Sequence, residues 1–125
     1  MIPHSKRVLC AEDDQETSSM LSNLLGLINL EVVTAMTFAE ARDKIESEPF
    51  DLYLLDNWLP GGGSGVELCK IIRETEKDAP VLFYSGAAYH SDREEAIKAG
   101  AQAYLIKPSD IGMLVETVKR LLRML

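Results

Sequence analysis

Residues 7–14 read Arg7-Val8-Leu9-Cys10-Ala11-Glu12-Asp13-Asp14: four apolar residues in succession, then three acids. A run that short and that apolar is the pattern of a strand covered on both faces. The acid triplet puts charge where the strand stops. Beyond it, Met20, Leu21, Leu24, Leu25 and Ile28 form one apolar stripe at helical spacing. Strand, acids, helix is the opening unit of the chain.

The alternation of short apolar runs and helical stripes continues. Leu30–Ala35, Leu52–Leu55, Val81–Tyr84 and Ala103–Ile106 read as further strands. The second is the weakest, and Glu31 within it suggests an edge position. Phe38, Ala41 and Ile45 make one helical stripe, and Val66, Cys69 and Ile72 another. Ala96, Ile97 and Ala99 make a weaker one. The clearest is the last, Ile111, Leu114, Val115, Val118, Leu121, Leu122 and Leu125. Thr37-x-x-Glu40, Ser64-x-x-Glu67 and Ser91-x-x-Glu94 each fit a capping box at a helix start. Gly100 sits where a left-handed residue would end the fourth helix. Five strand–helix units in series predict an α/β fold with one parallel sheet and helices on both faces.

Size and charge narrow the function. One hundred and twenty-five residues, 46% hydrophobic, are enough for a packed core in one domain. Lys and Arg number 13 against 20 Asp and Glu, a net charge of −7, which argues against a general nucleic-acid or anionic-membrane binder. No apolar run is long enough to span a bilayer, and residues 1–7 lack the apolar stretch of a signal peptide. The expected location is cytoplasmic. Cys10 and Cys69 lie in apolar segments and read as buried thiols, while His4 and His90 read as exposed and uninvolved.

In parallel sheets of this kind, ligands bind beyond the carboxyl ends of the strands. Those ends carry Glu12-Asp13-Asp14, Asp56, Ser85 and Lys107-Pro108. Carboxylates gathered there repel, by up to about 4 kcal/mol per pair at about 4 Å and an effective dielectric near 20. Such a cluster calls for a cation, and all-oxygen donors suit a hard ion such as Mg²⁺. Asp14 reads better as a helix cap than as a ligand. The histidines and cysteines have no zinc-ligand spacing. With a lysine and a hydroxyl added, the set can hold a phosphoryl group by charge and hydrogen bonds. Gly61–Gly65 has no following Lys-Ser/Thr and reads as a flexible loop beside the acid pocket, not a nucleotide cradle.

Four motifs stand in order at these strand ends: Glu12-Asp13-Asp14, Asp56-x-x-Leu59-Pro60, Ser85-Gly86, and Tyr104-Leu105-Ile106-Lys107-Pro108. Each is weak alone. Together, from about Lys6 to the last helix, they resemble the receiver domain of two-component response regulators. The resemblance implies a flavodoxin-like (βα)₅ doubly wound parallel sheet of strand order 2-1-3-4-5. It implies one receiver domain over 1–125, with its core from about residue 6.

By the same resemblance, Asp56 is the phosphoacceptor, taking a phosphoryl group from a sensor histidine kinase or phosphotransfer protein. Asp13 ligates Mg²⁺ (or Mn²⁺) directly and Glu12 through water, with Asp56 and the Trp58 backbone carbonyl completing the protein ligands. Lys107 pairs with the phosphoryl oxygens, Ser85 hydrogen-bonds them, and Tyr104 is the aromatic switch. The Lys107–Pro108 bond is similar to a family cis peptide. Activity is limited to self-phosphorylation and self-dephosphorylation. The surface of the fourth helix, fifth strand and last helix then controls a downstream output protein or domain. Neither direct nucleic-acid nor membrane contact is implied.

The sequence departs from the commoner pattern at Glu12 in place of Asp, at Ser85 in place of Thr, in a loop one residue longer after Pro60, and at Trp58 and Ala87. Trp58 is expected to shield the acyl phosphate from water. A haloacid-dehalogenase-like phosphatase would need an acid two residues after Asp56, where Trp58 stands. A flavodoxin-like cofactor binder would need a hydroxyl- and amide-rich first loop, where three acids would repel a cofactor phosphate. A receiver-like interaction module independent of phosphorylation is the remaining alternative.

Overall fold

The computed structural model describes residues 5–124. His4 and Leu125 lie outside the described residues. Five strands, β1 (Arg7–Ala11), β2 (Glu31–Ala35), β3 (Leu52–Leu55), β4 (Val81–Ser85) and β5 (Ala103–Ile106), form one sheet. The order is β2-β1-β3-β4-β5, every pair parallel, with β2 at an edge.

Side chains of successive strand residues point to opposite faces, and both faces are covered. Leu9, Tyr53, Leu55, Phe83 and Tyr104 pack with residues of α2 (Phe38–Ser47), α3 (Gly65–Thr75) and α4 (His90–Ala99). Val8, Cys10, Leu52, Leu54, Tyr84 and Leu105 pack with α1 (Gln15–Gly26) and α5 (Leu114–Leu121). This two-sided burial is why β3 and β4 read as unbroken apolar runs.

The helix starts follow their caps, with one correction. Thr37 and Ser64 hydroxyls accept the N–H groups of Glu40 and Glu67 at 3.1 and 3.2 Å. The expected Ser91–Glu94 box does not form. The cap is Tyr89, whose N–H donates to Asp92 Oδ2 at 3.1 Å, so Ser91 is already inside α4. The last helix is also shorter than its stripe: Ile111–Met113 form a 3₁₀ turn before α5 begins at Leu114.

Only Ala96 of α4 is buried, and Ile97 of the expected stripe is 44% exposed. The C-terminal end of α4 is instead held by polar contacts from α3. Arg73 donates to the Gly100 carbonyl through Nε (3.2 Å) and Nη2 (2.7 Å), and to Gln102 Oε1 at 3.1 Å. Gly100 has φ +116°, the left-handed end expected of it.

The loop that carries the glycine run is tied down at its flanks. Phe38 N–H donates to the Pro60 carbonyl at 3.0 Å, and Trp58 bridges Ser64 antiparallel. The Phe38 ring lies so close over Gly63 that a Cβ there would sit 2.2 Å from it. Among the described residues, no helix is long and apolar enough to cross a membrane.

Candidate functional site at the carboxyl edge of the sheet

The buried polar residues concentrate where the strands end: Glu12, Asp56, Asn57 and Ser85. Strand pairing continues past β1 and β3 and aligns two of them. Glu12 N–H donates to the Ala35 carbonyl and Asp56 N–H to the Ala11 carbonyl, each at 2.9 Å. Glu12, Asp13 and Asp56 each offer one carboxylate oxygen, and these oxygens lie within 4.8 Å of one another. Glu12 and Asp56 are buried, while Asp13 is exposed at the mouth. A cleft of about 400 Å³ opens beside them, lined by Asp13, Asn57, Trp58, Leu59, Pro60, Gly63 and Ser64.

Lys107 enters from β5. Its backbone N–H donates to the Ser85 carbonyl at 2.9 Å, and its side chain runs over the Tyr84 ring. The ammonium donates to Asp56 Oδ2 at 2.8 Å and pairs with Glu12. Burial alone would lower the lysine pKa. The hydrogen bonds it donates to Asp56 and Glu12 outweigh it, and the value is raised. Glu12 is held above the ordinary carboxylate range by burial, against the opposing hydrogen bonds of Lys107 and the Asp14 N–H.

Asp14 takes the cap role. Its Oδ2 accepts the Thr17 N–H at 2.9 Å and the Thr17 hydroxyl at 2.6 Å. Cys10 lies buried below the acids, and burial, then the charge of Glu12, pushes its thiol up to about 12, which removes it as a nucleophile. Cys69 is buried as expected, and His90 is exposed and paired with Glu94 at 2.8 Å.

Ser85 is fully buried, and its Oγ accepts the N–H groups of Asn57 (3.4 Å) and Ala87 (3.2 Å). Tyr104 is turned into the core. Its ring stacks on Phe83 at 5.4 Å, and its hydroxyl donates to the Ala87 carbonyl at 2.5 Å. The serine hydroxyl and the tyrosine therefore meet at one residue of the β4–α4 loop. Trp58 donates its N–H to Asp56 Oδ1 at 3.3 Å and leaves its side chain largely exposed. The Lys107–Pro108 peptide is cis.

One residue of the site was not singled out from the sequence. Asn57 is buried, and its Oδ1 accepts the Val66 N–H at 3.2 Å, tying the end of β3 to the first turn of α3. Its signal was hidden between two more conspicuous neighbours, Asp56 and Trp58.

The donor set around the cluster is all oxygen, two of its three carboxylates are buried, and a lysine stands across from them. That chemistry fits a hard divalent cation and a phosphoryl group. The family model of the response regulator receiver domain matches residues 8–119. The chain belongs to this family. The receiver is 38% identical over 120 residues to the transcriptional regulatory protein PrrA of Mycobacterium tuberculosis, covering 95% of this chain and 51% of PrrA. Among solved structures, it superposes on a CheY-like receiver domain protein from Methanospirillum hungatei with a TM-score of 0.89, at 31% identity, over 96% of this chain and 95% of that one. It also superposes on response regulator TrrA from Thermotoga maritima, solved in complex with Mg²⁺-BeF, with a TM-score of 0.81 at 33% identity, over 93% and 98% of the two chains. The receiver spans between about a quarter and a half of the length of the first relatives it matches.

Proposed function

We propose that this receiver is a phosphorylation-driven switch and that Asp56 is its phosphoacceptor. One observation carries the reading: Asp56 is a buried carboxylate at the end of β3, within reach of Glu12, Asp13 and the Lys107 ammonium together. In the reaction, a carboxylate oxygen of Asp56 forms a bond to phosphorus. The P–N bond of a phosphohistidine breaks, and the imidazole leaves with the electron pair and takes up a proton. The donor is a sensor histidine kinase or a phosphotransfer protein.

Glu12, Asp13, Asp56 and the Trp58 carbonyl are the residues assigned to hold Mg²⁺. The ion, when bound, supplies charge neutralisation between the acids and the incoming phosphoryl oxygens. The chain's own residues do the rest. Lys107 pairs with a phosphoryl oxygen, and the Ser85 hydroxyl turns to donate to another, leaving the Asn57 and Ala87 N–H groups. Tyr104 is bound to the carbonyl of that same Ala87, so a shift of that loop reaches the α4–β5–α5 surface. α4 is suited to respond, since one buried alanine is its main apolar hold. That surface would act on an output protein or domain, with chemistry confined to phosphorylation and dephosphorylation of Asp56 in a single cytoplasmic receiver domain. Incubation with phosphoramidate, a P–N phosphodonor, followed by intact mass, tests the reading.

A further inference from the structure

β5 is an edge strand, and among the described residues the backbone groups on its outer side have no neighbouring strand to pair with. Lys107 N–H points inward, to the Ser85 carbonyl of β4. Ile106, one residue earlier, therefore points its N–H and carbonyl outward. Both are taken up by one residue: Ile106 N–H donates to Asp110 Oδ2 at 2.8 Å, and Asp110 N–H donates to the Ile106 carbonyl at 2.9 Å. Asp110 thus does what a sixth strand would do, at the residue preceding the site lysine. Its carbonyl also accepts the Met113 N–H at 2.9 Å, so the same residue starts the turn that leads into α5.

We infer that Asp110 is a positioning residue for Lys107. The lysine side chain has four rotatable bonds and must deliver its ammonium to Asp56 and Glu12 across the Tyr84 ring. With Ser85 fixing the Lys107 amide on the inner side and Asp110 fixing Ile106 on the outer side, the stem leaves the backbone from one place and in one direction. The hydrogen bond from Ile106 is charge-assisted, of the stronger class. Asp110 acts through the backbone, without touching the ammonium.

The role of Lys107 toward a phosphoryl group rests on the function proposed above, and the test separates the two. Amide hydrogen exchange on the metal-free protein should show the Ile106 N–H protected in wild type and in Asp110→Asn, which keeps an acceptor oxygen. In Asp110→Ala it should exchange about tenfold faster or more. Mg²⁺ titration followed by Trp58 fluorescence should find Asp110→Ala binding the ion at least as tightly as wild type, because a less well-placed lysine competes less for the acids. A globally loosened protein would bind it more weakly. Phosphorylation by phosphoramidate should slow about tenfold in Asp110→Ala and recover in Asp110→Asn. Asp110→Glu, which keeps the charge and misplaces it, should behave as the alanine variant does and serves if that variant does not fold. Unchanged Ile106 exchange in both Asp110→Ala and Asp110→Glu overturns the inference. So does equal slowing of phosphorylation in the alanine and asparagine variants. Failure of wild type to take up phosphate defeats the proposed function, while the exchange and Mg²⁺ measurements still decide Asp110.

Discussion

The Lys107 ammonium lies 2.8 Å from Asp56 Oδ2 while also pairing with Glu12, so one cation from β5 neutralises acids at the ends of β1 and β3. A divalent ion at the same carboxylates has to compete with it. Lys107→Ala removes the competitor. Mg²⁺ should then bind about tenfold more tightly, read as a leftward shift of the Trp58 fluorescence titration, while phosphoryl uptake slows. Weaker Mg²⁺ binding in the variant would contradict the arrangement.

The Glu12 carboxyl has a direct consequence for stability against pH. Burial raises its pKa in the folded protein above the ordinary 4.5, despite the hydrogen bonds from Lys107 and Asp14. A raised folded value means that the folded state holds the proton more tightly than the unfolded chain does. Its stabilising contribution is complete below about 4.5 and is lost as pH rises through the raised value. Asp14 acts in the opposite sense and in a lower window. The Thr17 hydroxyl, then the Thr17 N–H, hold it below 3.8, so its contribution is complete above 3.8 and fades as pH falls. In metal-free buffer, the stability of wild type relative to Glu12→Gln should therefore decline as pH rises above 4.5 and through the raised value. Urea unfolding of both proteins across that range checks it, and a flat difference would count against the burial argument.

Gly65, the first residue of α3, is packed against the site itself. A Cβ there would lie 2.4 Å from the Asp56 carbonyl oxygen, 2.8 Å from the Phe83 ring and 3.0 Å from the Asn57 Cα. Two of those neighbours are backbone and cannot swing away. Gly65→Ala should cost about 1–3 kcal/mol in denaturant unfolding. Gly112 has nothing within 4 Å of its Cβ position, and Gly112→Ala should stay within about 0.5 kcal/mol of wild type. Similar effects at the two positions would contradict the packing described for α3.

Trp58 follows Asp56 by two residues, is bonded to its Oδ1 through the backbone, and keeps its side chain 64% exposed. An exposed indole at the mouth can lie over an acyl phosphate and hold water off it. Trp58→Asn should shorten the lifetime of the phosphorylated protein by roughly threefold or more, measured by loss of the phosphoryl mass after the donor is removed. An unchanged lifetime removes the shielding role.

The strands were legible because their burial is two-sided. A segment such as Leu52–Leu55 has no polar face to confuse its reading. The site was legible because Glu12, Asp56, Ser85 and Lys107 each follow an apolar run directly, so topology alone brings them to one edge. What escaped depends on contacts between distant segments. Arg73 holds Gly100 and Gln102, far along the chain, and nothing in its own surroundings announces that. Asp110 matters because β5 is an edge, a property of the whole sheet. At the start of α4, two cap patterns overlap, Tyr89 with Asp92 and Ser91 with Glu94. The structure uses the first, although serine is the better cap by residue type. The glycine run read as loose by composition, and only the Phe38 ring against Gly63 shows why glycine is needed there.

In the proposed switch, Asp56 carries the phosphoryl group. The decisive experiment is intact mass after incubation with phosphoramidate, with and without Mg²⁺, on wild type and Asp56→Asn. A single phosphoryl adduct on wild type that requires Mg²⁺ and is missing from Asp56→Asn is the predicted result. No adduct on wild type, or an adduct that persists in Asp56→Asn, would contradict it, and the first of these would turn the reading toward a receiver that works by contact without phosphorylation.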